Sequence, residues 1–256
     1  MQAGSRFIAV VLAVAALGGC AREPAPADPD SEASYADTEL TPEPATDRAR
    51  GGPDVHPDDS LVATAVVQRI KVFRSPADDE PFVVFDHPGP FGTPRVFLVR
   101  SSKPKWVRVL VPIRPNGTEG WIRKGHVELA SNPYRLEVDL SDLQLRAFRR
   151  DRQVFHHSVA IGSASTPTPT GLFYTTILAK PSSPDSPYGK FALGLSGYSE
   201  VLTTFAGGEG QIAIHGTNQP SLIGTPASHG CVRVDNRTIS RLARLLPLGT
   251  PVRIRP

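Results

Sequence analysis

Several residue types are scarce in this chain of 256 residues, and each scarcity argues against a class of protein. Two cysteines are too few for a disulfide-stabilised scaffold or for a zinc site built from several cysteines. The longest apolar run, Phe7 to Leu17, has eleven residues, which cover only about half of a bilayer core of roughly 30 Å. By contrast, 26 prolines and 22 glycines argue against a helical bundle and favour a turn-rich β protein.

Charge is distributed unevenly along the chain. Residues 21–60 contain 11 acidic and 3 basic residues, together with seven prolines and few large apolar side chains. Such a segment cannot bury enough apolar surface to offset its conformational entropy, so we expect a disordered, extended acidic tether. Residues 61–256 contain 24 basic and 14 acidic residues, a balance that suits an anionic cell envelope. Because aromatic residues do not alternate with basic runs, the sequence predicts no nucleic-acid partner.

The first twenty residues have the pattern of an export signal. Arg6 precedes the apolar run Phe7 to Leu17, and residues 17–20 read Leu-Gly-Gly-Cys. This ending resembles a bacterial lipobox, in which small residues precede a cysteine that becomes diacylated; an ordinary signal peptide with a chance cysteine is the alternative. The resemblance implies a lipoprotein held at the membrane through lipid on Cys20 and working in the extracytoplasmic envelope of a bacterium. Cys231 is then the remaining thiol of the mature chain.

Residues 61–130 contain short apolar runs that are separated by turn sequences, among them Asn116-Gly117. The runs are AVVQRIKVF, PFVVFDH, RVFLVR, WVRVLVPI and GWIRKGHVEL. Five short strands in this length predict a small β-barrel. The stretch from Trp106 to Gly120-Trp121-Ile122 resembles bacterial SH3-like domains, and the resemblance implies an SH3-like module over residues 61–130.

Residues 132–256 have a sharper alternation of apolar and polar residues. Strands from Tyr134, from Leu143 and over Val154–Ile161 form a predicted three-stranded meander. The Pro-, Ser- and Gly-rich residues 179–197 are predicted to form a long loop. Asp235 is a candidate N-cap for one helix that ends before Pro247, and a final strand covers residues 252–254. The predicted fold class is therefore mainly β with one C-terminal helix.

The chemistry of the chain is concentrated in two short motifs. Ile214-His215-Gly216-Thr217 is followed, ten residues later, by Ala227-Ser228-His229-Gly230-Cys231-Val232-Arg233. A cysteine becomes a strong nucleophile as the thiolate, and a nearby imidazole is a common means of forming it. Glycine allows close approach of substrate to the backbone, and amides near the cysteine could form an oxyanion hole. A zinc site and a buried structural cysteine are alternatives, but no further ligand stands at a familiar spacing, so neither metal nor cofactor is predicted.

The segment HGTNQPSLIGTPASHGCVR resembles the signature of the L,D-transpeptidase (YkuD-type) catalytic domain. YRLEVDLSDLQLRAF, TPTPTGLFYTT and FALGLSGYS resemble further elements of the family, in the same order, over residues 132–256. The resemblance implies a β-sandwich-like catalytic domain. It assigns the nucleophile, its base, a neighbouring histidine for orientation and for oxyanion or substrate contact, loop residues for substrate or oxyanion contact, residues that shape the turn, and an arginine that holds the site together or binds a substrate carboxylate. In that order these are Cys231, His215, His229, Gly216 and Thr217, Ser228 and Gly230, and Arg233.

The activity implied by the resemblance is acyl transfer on peptidoglycan stem peptides. The cysteine would attack the third residue of a tetrapeptide stem, expel D-alanine, and pass the acyl group to an amine of a second stem, which forms a 3→3 cross-link. Water as acceptor would give an L,D-carboxypeptidase, and a protein amine would give a protein-anchoring enzyme. Acylation by carbapenem-type β-lactams is also implied. A papain-like endopeptidase is disfavoured because its cysteine normally precedes its histidine, and a non-catalytic wall-binding lipoprotein remains the alternative from another class.

Overall fold

The structure is a computed structural model that describes residues 56–183, 185–205 and 208–256. The predicted signal peptide with Cys20, and residues 21–55 of the predicted tether, lie outside the described residues. Ser60, the last residue of the predicted tether, begins the first strand, and Asp59 accepts hydrogen bonds from Ser131 and Arg150. No helix in the described part of the chain is both long and apolar enough to cross a bilayer.

The first module contains seven strands. They are β1 (Ser60–Ala65), β2 (Arg69–Val72), β3 (Val83–Asp86), β4 (Val96–Ser102), β5 (Trp106–Leu110), β6 (Glu119–Arg123) and β7 (Val127–Asn132). Five of them form an antiparallel sheet in the order β6-β5-β4-β1-β7, and β2 pairs with β3. The fully buried side chains of Ile70, Phe97 and Ile122 form its core. The last of the five predicted runs divides between β6 and β7, whereas the first forms β2 and overlaps β1 only at Ala65. The SH3-like assignment stays a prediction.

The second module is an eight-stranded sheet with one α-helix among the described residues, in agreement with the predicted mainly β class. Its elements are β8 (Tyr134–Asp139), β9 (Gln144–Arg149), β10 (Arg152–Ser158), β11 (Gly171–Ala179), β12 (Ala192–Tyr198), β13 (Gln211–His215), β14 (Val232–Arg233), α1 (Asn236–Leu245) and β15 (Pro251–Arg255). The strand order is β10-β9-β8-β15-β11-β12-β13-β14. The predicted meander β8-β9-β10 is confirmed, and β15 lies in the middle of the sheet, parallel to β8 and antiparallel to β11.

The predicted loop over residues 179–197 is wrong in its second half, which forms β12. Leu193 and Leu195 are buried in the core, in the alternating pattern of a strand. The small residues that suggested a loop serve packing instead, because a Cβ on Gly197 would lie 2.4 Å from the ring of Phe173. Glycine therefore marks a close approach between strand and aromatic ring here, and the true loop between β11 and β12 is residues 180–191.

Helix α1 begins where the sequence predicts. Asp235 is the N-cap, and its carboxylate accepts a hydrogen bond of 2.8 Å from the backbone N–H of Thr238. Ile239 and Leu242 face the core from the inner side of the helix. Because β14 ends two residues before α1 begins, the amino end of the helix is held beside the His–Cys segment.

The two modules share a hydrophobic cluster. Tyr174 of β11 is completely buried, and its hydroxyl donates to the carbonyl oxygen of Leu110 in the first module at 3.2 Å. A Cβ on Gly249 would lie 2.4 Å from the side chain of Val62, so the backbone at Gly249 packs directly against that side chain. The shared cluster contains Val62, Val96, Leu98, Leu110 and Tyr174. The seam between the modules is thus packed like the interior of a domain.

Candidate active site

Strands β13 and β14 bring the two sequence motifs together. They are parallel, with Ile214 opposite Val232 and His215 opposite Arg233. Partners across a strand pair share a face, and alternate residues along a strand share a face. Ile214 and Val232 point into the core, where both are buried. His215, Arg233 and Cys231 therefore lie together on the opposite face.

The geometry of His215 fixes which ring nitrogen can act as a base. Its Nδ1 lies 2.6 Å from the carbonyl oxygen of Gly216, and because a carbonyl can only accept, Nδ1 carries the proton in the neutral ring. The lone pair of Nε2 is then available. Burial lowers the pKa of His215 from 6.5 to about 4, against a smaller opposing effect of the Gly216 hydrogen bond. His215 is consequently a neutral imidazole at physiological pH.

Cys231 has a matching protonation state. Burial among protein atoms raises the pKa of its thiol, while a backbone hydrogen bond from Ala213 and the positive charge of Arg233 lower it by smaller amounts. The residue as a whole is only partly exposed to solvent. At physiological pH the thiol of Cys231 and the imidazole of His215 are therefore both neutral.

The turn that carries the cysteine is closed by Ser228. Its hydroxyl donates to the carbonyl oxygen of Cys231 at 2.5 Å and accepts from the backbone N–H of Gly230 at 3.1 Å. Gly230 has φ +114°, a backbone conformation that residues with a side chain rarely adopt. On the outer side, Ser228 N–H donates to Ile161 at 2.8 Å and Ser163 N–H donates to Ser228 at 2.9 Å. The segment that precedes the TPTPTG element thereby supports the turn.

His229 is placed quite differently from His215. It is exposed, and its ring lies over the ring of Phe205, with 5.2 Å between centroids. Burial and the carbonyl partner favour His215 as the base, whereas the ring of His229 lies at the surface against Phe205.

Asn236, the first residue of α1, is a site residue that the sequence analysis missed. Its Nδ2 donates to the carbonyl oxygen of Thr217 at 2.9 Å, and its Oδ1 accepts from the backbone N–H of Lys190 at 3.0 Å. A Cβ on Gly216 or on Gly189 would lie within 2.3 Å of that same oxygen. One side chain thus joins the loop that follows His215 to the loop that follows β11.

Tyr188 is a second missed residue, and it is carried by that latter loop. Its ring lies 4.9 Å from the ring of His215, measured between centroids. Burial raises the pKa of its phenol, and the proximity of Cys231 adds to this effect. Because residue 188 is distant in sequence from either motif, no local pattern indicated it.

Arg233 adds positive charge to the site. Its positive charge makes a small contribution that lowers the pKa values of His215, Cys231 and Tyr188. Its Nε is buried and has no hydrogen-bond partner among the described residues. An unpartnered buried donor beside a nucleophile suits an anionic group of a substrate.

A family model and curated relatives identify one family. The family model for the L,D-transpeptidase catalytic domain, YkuD, matches residues 133–254. A protein named as an L,D-transpeptidase, YkuD of Bacillus licheniformis, is 39% identical over 124 residues, which cover 48% of this chain and 67% of that protein. The corresponding protein of Bacillus subtilis is 34% identical over 122 residues, which cover 48% of this chain and 66% of that protein. Among solved structures, Bd1075 of Bdellovibrio bacteriovorus is 28% identical, with a TM-score of 0.38 over 48% of each chain.

Proposed function

Because the chain belongs to the L,D-transpeptidase (YkuD) catalytic-domain family, we propose that it transfers peptidoglycan stem peptides through a thioester on Cys231. The observation that carries this proposal is the state of His215. Its Nδ1–H is bound to the Gly216 carbonyl oxygen, so Nε2 is free to accept a proton on the face that also holds the cysteine.

The first step acylates the enzyme. Sγ of Cys231 bonds to the carbonyl carbon of the third stem residue as its proton passes to Nε2 of His215. Collapse of the tetrahedral intermediate breaks the amide bond to the terminal D-alanine, and the imidazolium returns its proton to the leaving amine. The products of this step are free D-alanine and a thioester.

The oxyanion of that intermediate needs a donor that is not already used. The backbone amides of Gly216, Ser228 and Gly230 donate to Phe191, to Ile161 and to the Ser228 hydroxyl, respectively. For the amide of Cys231 the described residues show no acceptor. We therefore assign the oxyanion contact to the Cys231 amide and regard the three occupied amides as determinants of loop shape.

A stem carboxylate is the natural partner for Arg233. Its buried Nε lacks an acceptor among the described residues, and a guanidinium can bind a carboxylate through two parallel hydrogen bonds. The contact would fix the stem so that its carbonyl carbon faces Cys231.

The second step resolves the thioester. An amine on the side chain of the third residue of another stem, typically meso-diaminopimelate, attacks the acyl carbon and forms a 3→3 cross-link, while the thiolate leaves and regains its proton. Water would release a shortened stem, and a protein amine would attach that protein to the wall. The three reactions use the same cysteine and histidine and differ only in the acceptor.

A purified stem tetrapeptide tests the function directly. Mass spectrometry should detect D-alanine release together with a dimer, a tripeptide or a protein adduct, according to the acceptor supplied. Cys231→Ala should release no D-alanine, and Cys231→Ser should retain only a trace, because a serine hydroxyl is far less nucleophilic than a thiolate. Arg69→Ala is a matched surface control on the first module. Turnover by Cys231→Ala at the normal rate would refute the assignment.

We also propose reaction with carbapenem-type β-lactams. These present a strained acyl donor to the same thiol, so the intact protein should gain the mass of one antibiotic molecule. The adduct should be absent in Cys231→Ala. Absence of an adduct in the unmodified protein, with a thiol that still reacts with iodoacetamide, would contradict the proposal.

For location, we propose an extracytoplasmic lipoprotein that is anchored to the membrane by lipid on Cys20 and separated from it by the tether of residues 21–60. Cys20→Ala should move the protein from the membrane fraction to the soluble fraction of the envelope. The denatured mature protein should show one titratable thiol with or without reductant. A second thiol that appears with reductant would indicate an unlipidated, disulfide-linked Cys20.

A further inference from the structure

A side chain of the first module reaches across the seam into the second. Nη2 of Arg114 donates to three backbone carbonyl oxygens, at 2.7 Å to Glu209, 3.0 Å to Leu202 and 3.3 Å to Ser199. The guanidinium also lies over the ring of Tyr198, 4.7 Å from its centroid. These acceptors belong to residues 199–205 and 208–210, which follow β12 and precede β13.

Asn116 provides a second attachment for the same part of the chain. Its Nδ2 donates to the carbonyl oxygen of Tyr198 at 2.8 Å, and its Oδ1 accepts from the Tyr198 N–H at 2.9 Å. The phenol of Tyr198 donates to the carbonyl oxygen of Pro112 at 3.1 Å. The side-chain amide thus pairs with the end of β12 in both directions, as a neighbouring strand would.

The segment held in this way reaches the candidate active site. Phe205 is 41% exposed, an unusual state for so large an apolar side chain, and its ring covers the exposed ring of His229. Phe205 and Gly208 exchange two backbone hydrogen bonds of 2.9 Å, which fix the position of the aromatic residue. His229 precedes Cys231 by two residues, so the Phe205 ring contacts the motif that carries the cysteine.

The geometry points to Arg114 and Asn116 as positioning residues that hold Phe205 over His229, so that the first module helps to build one wall of the acyl-donor site. This inference rests on the proposed function and adds a specificity element to it. The polar ends of a stem are matched by Arg233 and by backbone amides. The Phe205 ring would pack against the aliphatic part of the side chain of the third stem residue.

The first experiment reads the geometry without any enzymatic reaction. In the NMR spectrum of the full chain, the Cε1–H resonance of His229 should carry a ring-current shift from Phe205, and Phe205→Ala should abolish it. Arg114→Ala should move the same resonance at least halfway to its position in Phe205→Ala. Asn116→Asp should shift the resonance in the same way, because it replaces the amide nitrogen that donates to the Tyr198 carbonyl oxygen with an oxygen, while the side chain keeps its size. Arg69→Ala, an exposed arginine of the same module, should leave the resonance unchanged.

The second experiment separates binding from chemistry. Arg114→Ala, Asn116→Asp and Phe205→Ala should each raise the donor KM by about tenfold, with kcat within about twofold of the unmodified enzyme, as expected for lost positioning of a bound group. Iodoacetamide should alkylate Cys231 at an unchanged rate, since the Cys–His pair is untouched. Thermal unfolding shows whether each variant is folded; should Arg114→Ala not fold, the isosteric Asn116→Asp carries the test.

The outcomes distinguish the two proposals. An unchanged His229 resonance and an unchanged KM in folded Arg114→Ala or Asn116→Asp would overturn the positioning role. If the unmodified protein transfers no stem peptide but the resonance responds as expected, the proposed function falls and the positioning of Phe205 stands. If transfer occurs and the first-module variants lower kcat and the alkylation rate instead of raising KM, the module supports the dyad and does not form a substrate wall.

Discussion

Burial of a neutral histidine should make the protein lose stability in acid by an amount that the structure allows us to calculate. The pKa of His215 is about 4 in the folded protein, compared with 6.5 for a histidine in the unfolded chain. Between these pH values the unfolded chain binds a proton at this position and the folded chain does not, so stability is complete above about pH 6.5 and decreases as the pH falls. A gap of about two and a half pKa units corresponds to about 3 kcal/mol at pH 4. This is a large part of the roughly 5–15 kcal/mol that holds a typical domain together.

Urea unfolding at pH 7 and pH 4 measures this difference against His215→Gln, which cannot titrate. Both proteins share every carboxylate and every other histidine, so their common acid sensitivity cancels in the comparison. The unmodified protein should lose about 3 kcal/mol more than the variant over this range. Equal losses would mean that His215 is not buried as a neutral ring, and the assignment of Nε2 as the base would lose its physical support.

Three substitutions test the scaffold around the dyad. Asn236→Ala should slow carbapenem acylation by about 10- to 100-fold in stopped-flow fluorescence, because the loop after His215 and the loop after β11 lose their common hydrogen-bond partner. An unchanged rate would show that these loops keep their positions without Asn236. Gly230→Ala should cost about 1–3 kcal/mol in chemical unfolding, since φ is +114° there; a neutral effect would contradict that backbone. Ser228→Ala should slow the alkylation of Cys231 and leave the melting temperature nearly unchanged. A lower melting temperature with an unchanged alkylation rate would indicate a purely structural serine.

The sequence predicted features whose signals are local. The alternation from Tyr134 onward predicted the meander, Asp235 marked the start of α1, and the two motifs that carry His215 and Cys231 lie on neighbouring strands. Each signal depends on residues a few positions apart, which is the range over which side chains repeat along a strand or cap a helix.

What the sequence did not reveal depends on contacts between distant segments. Gly197 suggested a loop because its packing partner, Phe173, lies on another strand. Asn236 and Tyr188 enter the site only when α1 and the loop after β11 meet beside β13. The tautomer of His215 is set by a backbone carbonyl, and every residue type has one. Such features become predictable only after the topology is known.

The central position of β15 has a consequence for how the protein is made. In the sheet order, β15 is the single strand between the meander β8-β9-β10 and the strands β11 to β14 that carry the site. Residues 251–255 are synthesised after every other strand described here. The two halves of this sheet therefore stay unjoined until residues 251–255 have been synthesised and β15 is inserted between β8 and β11. The order of synthesis thus makes the joining of the two halves of the sheet a late step in folding.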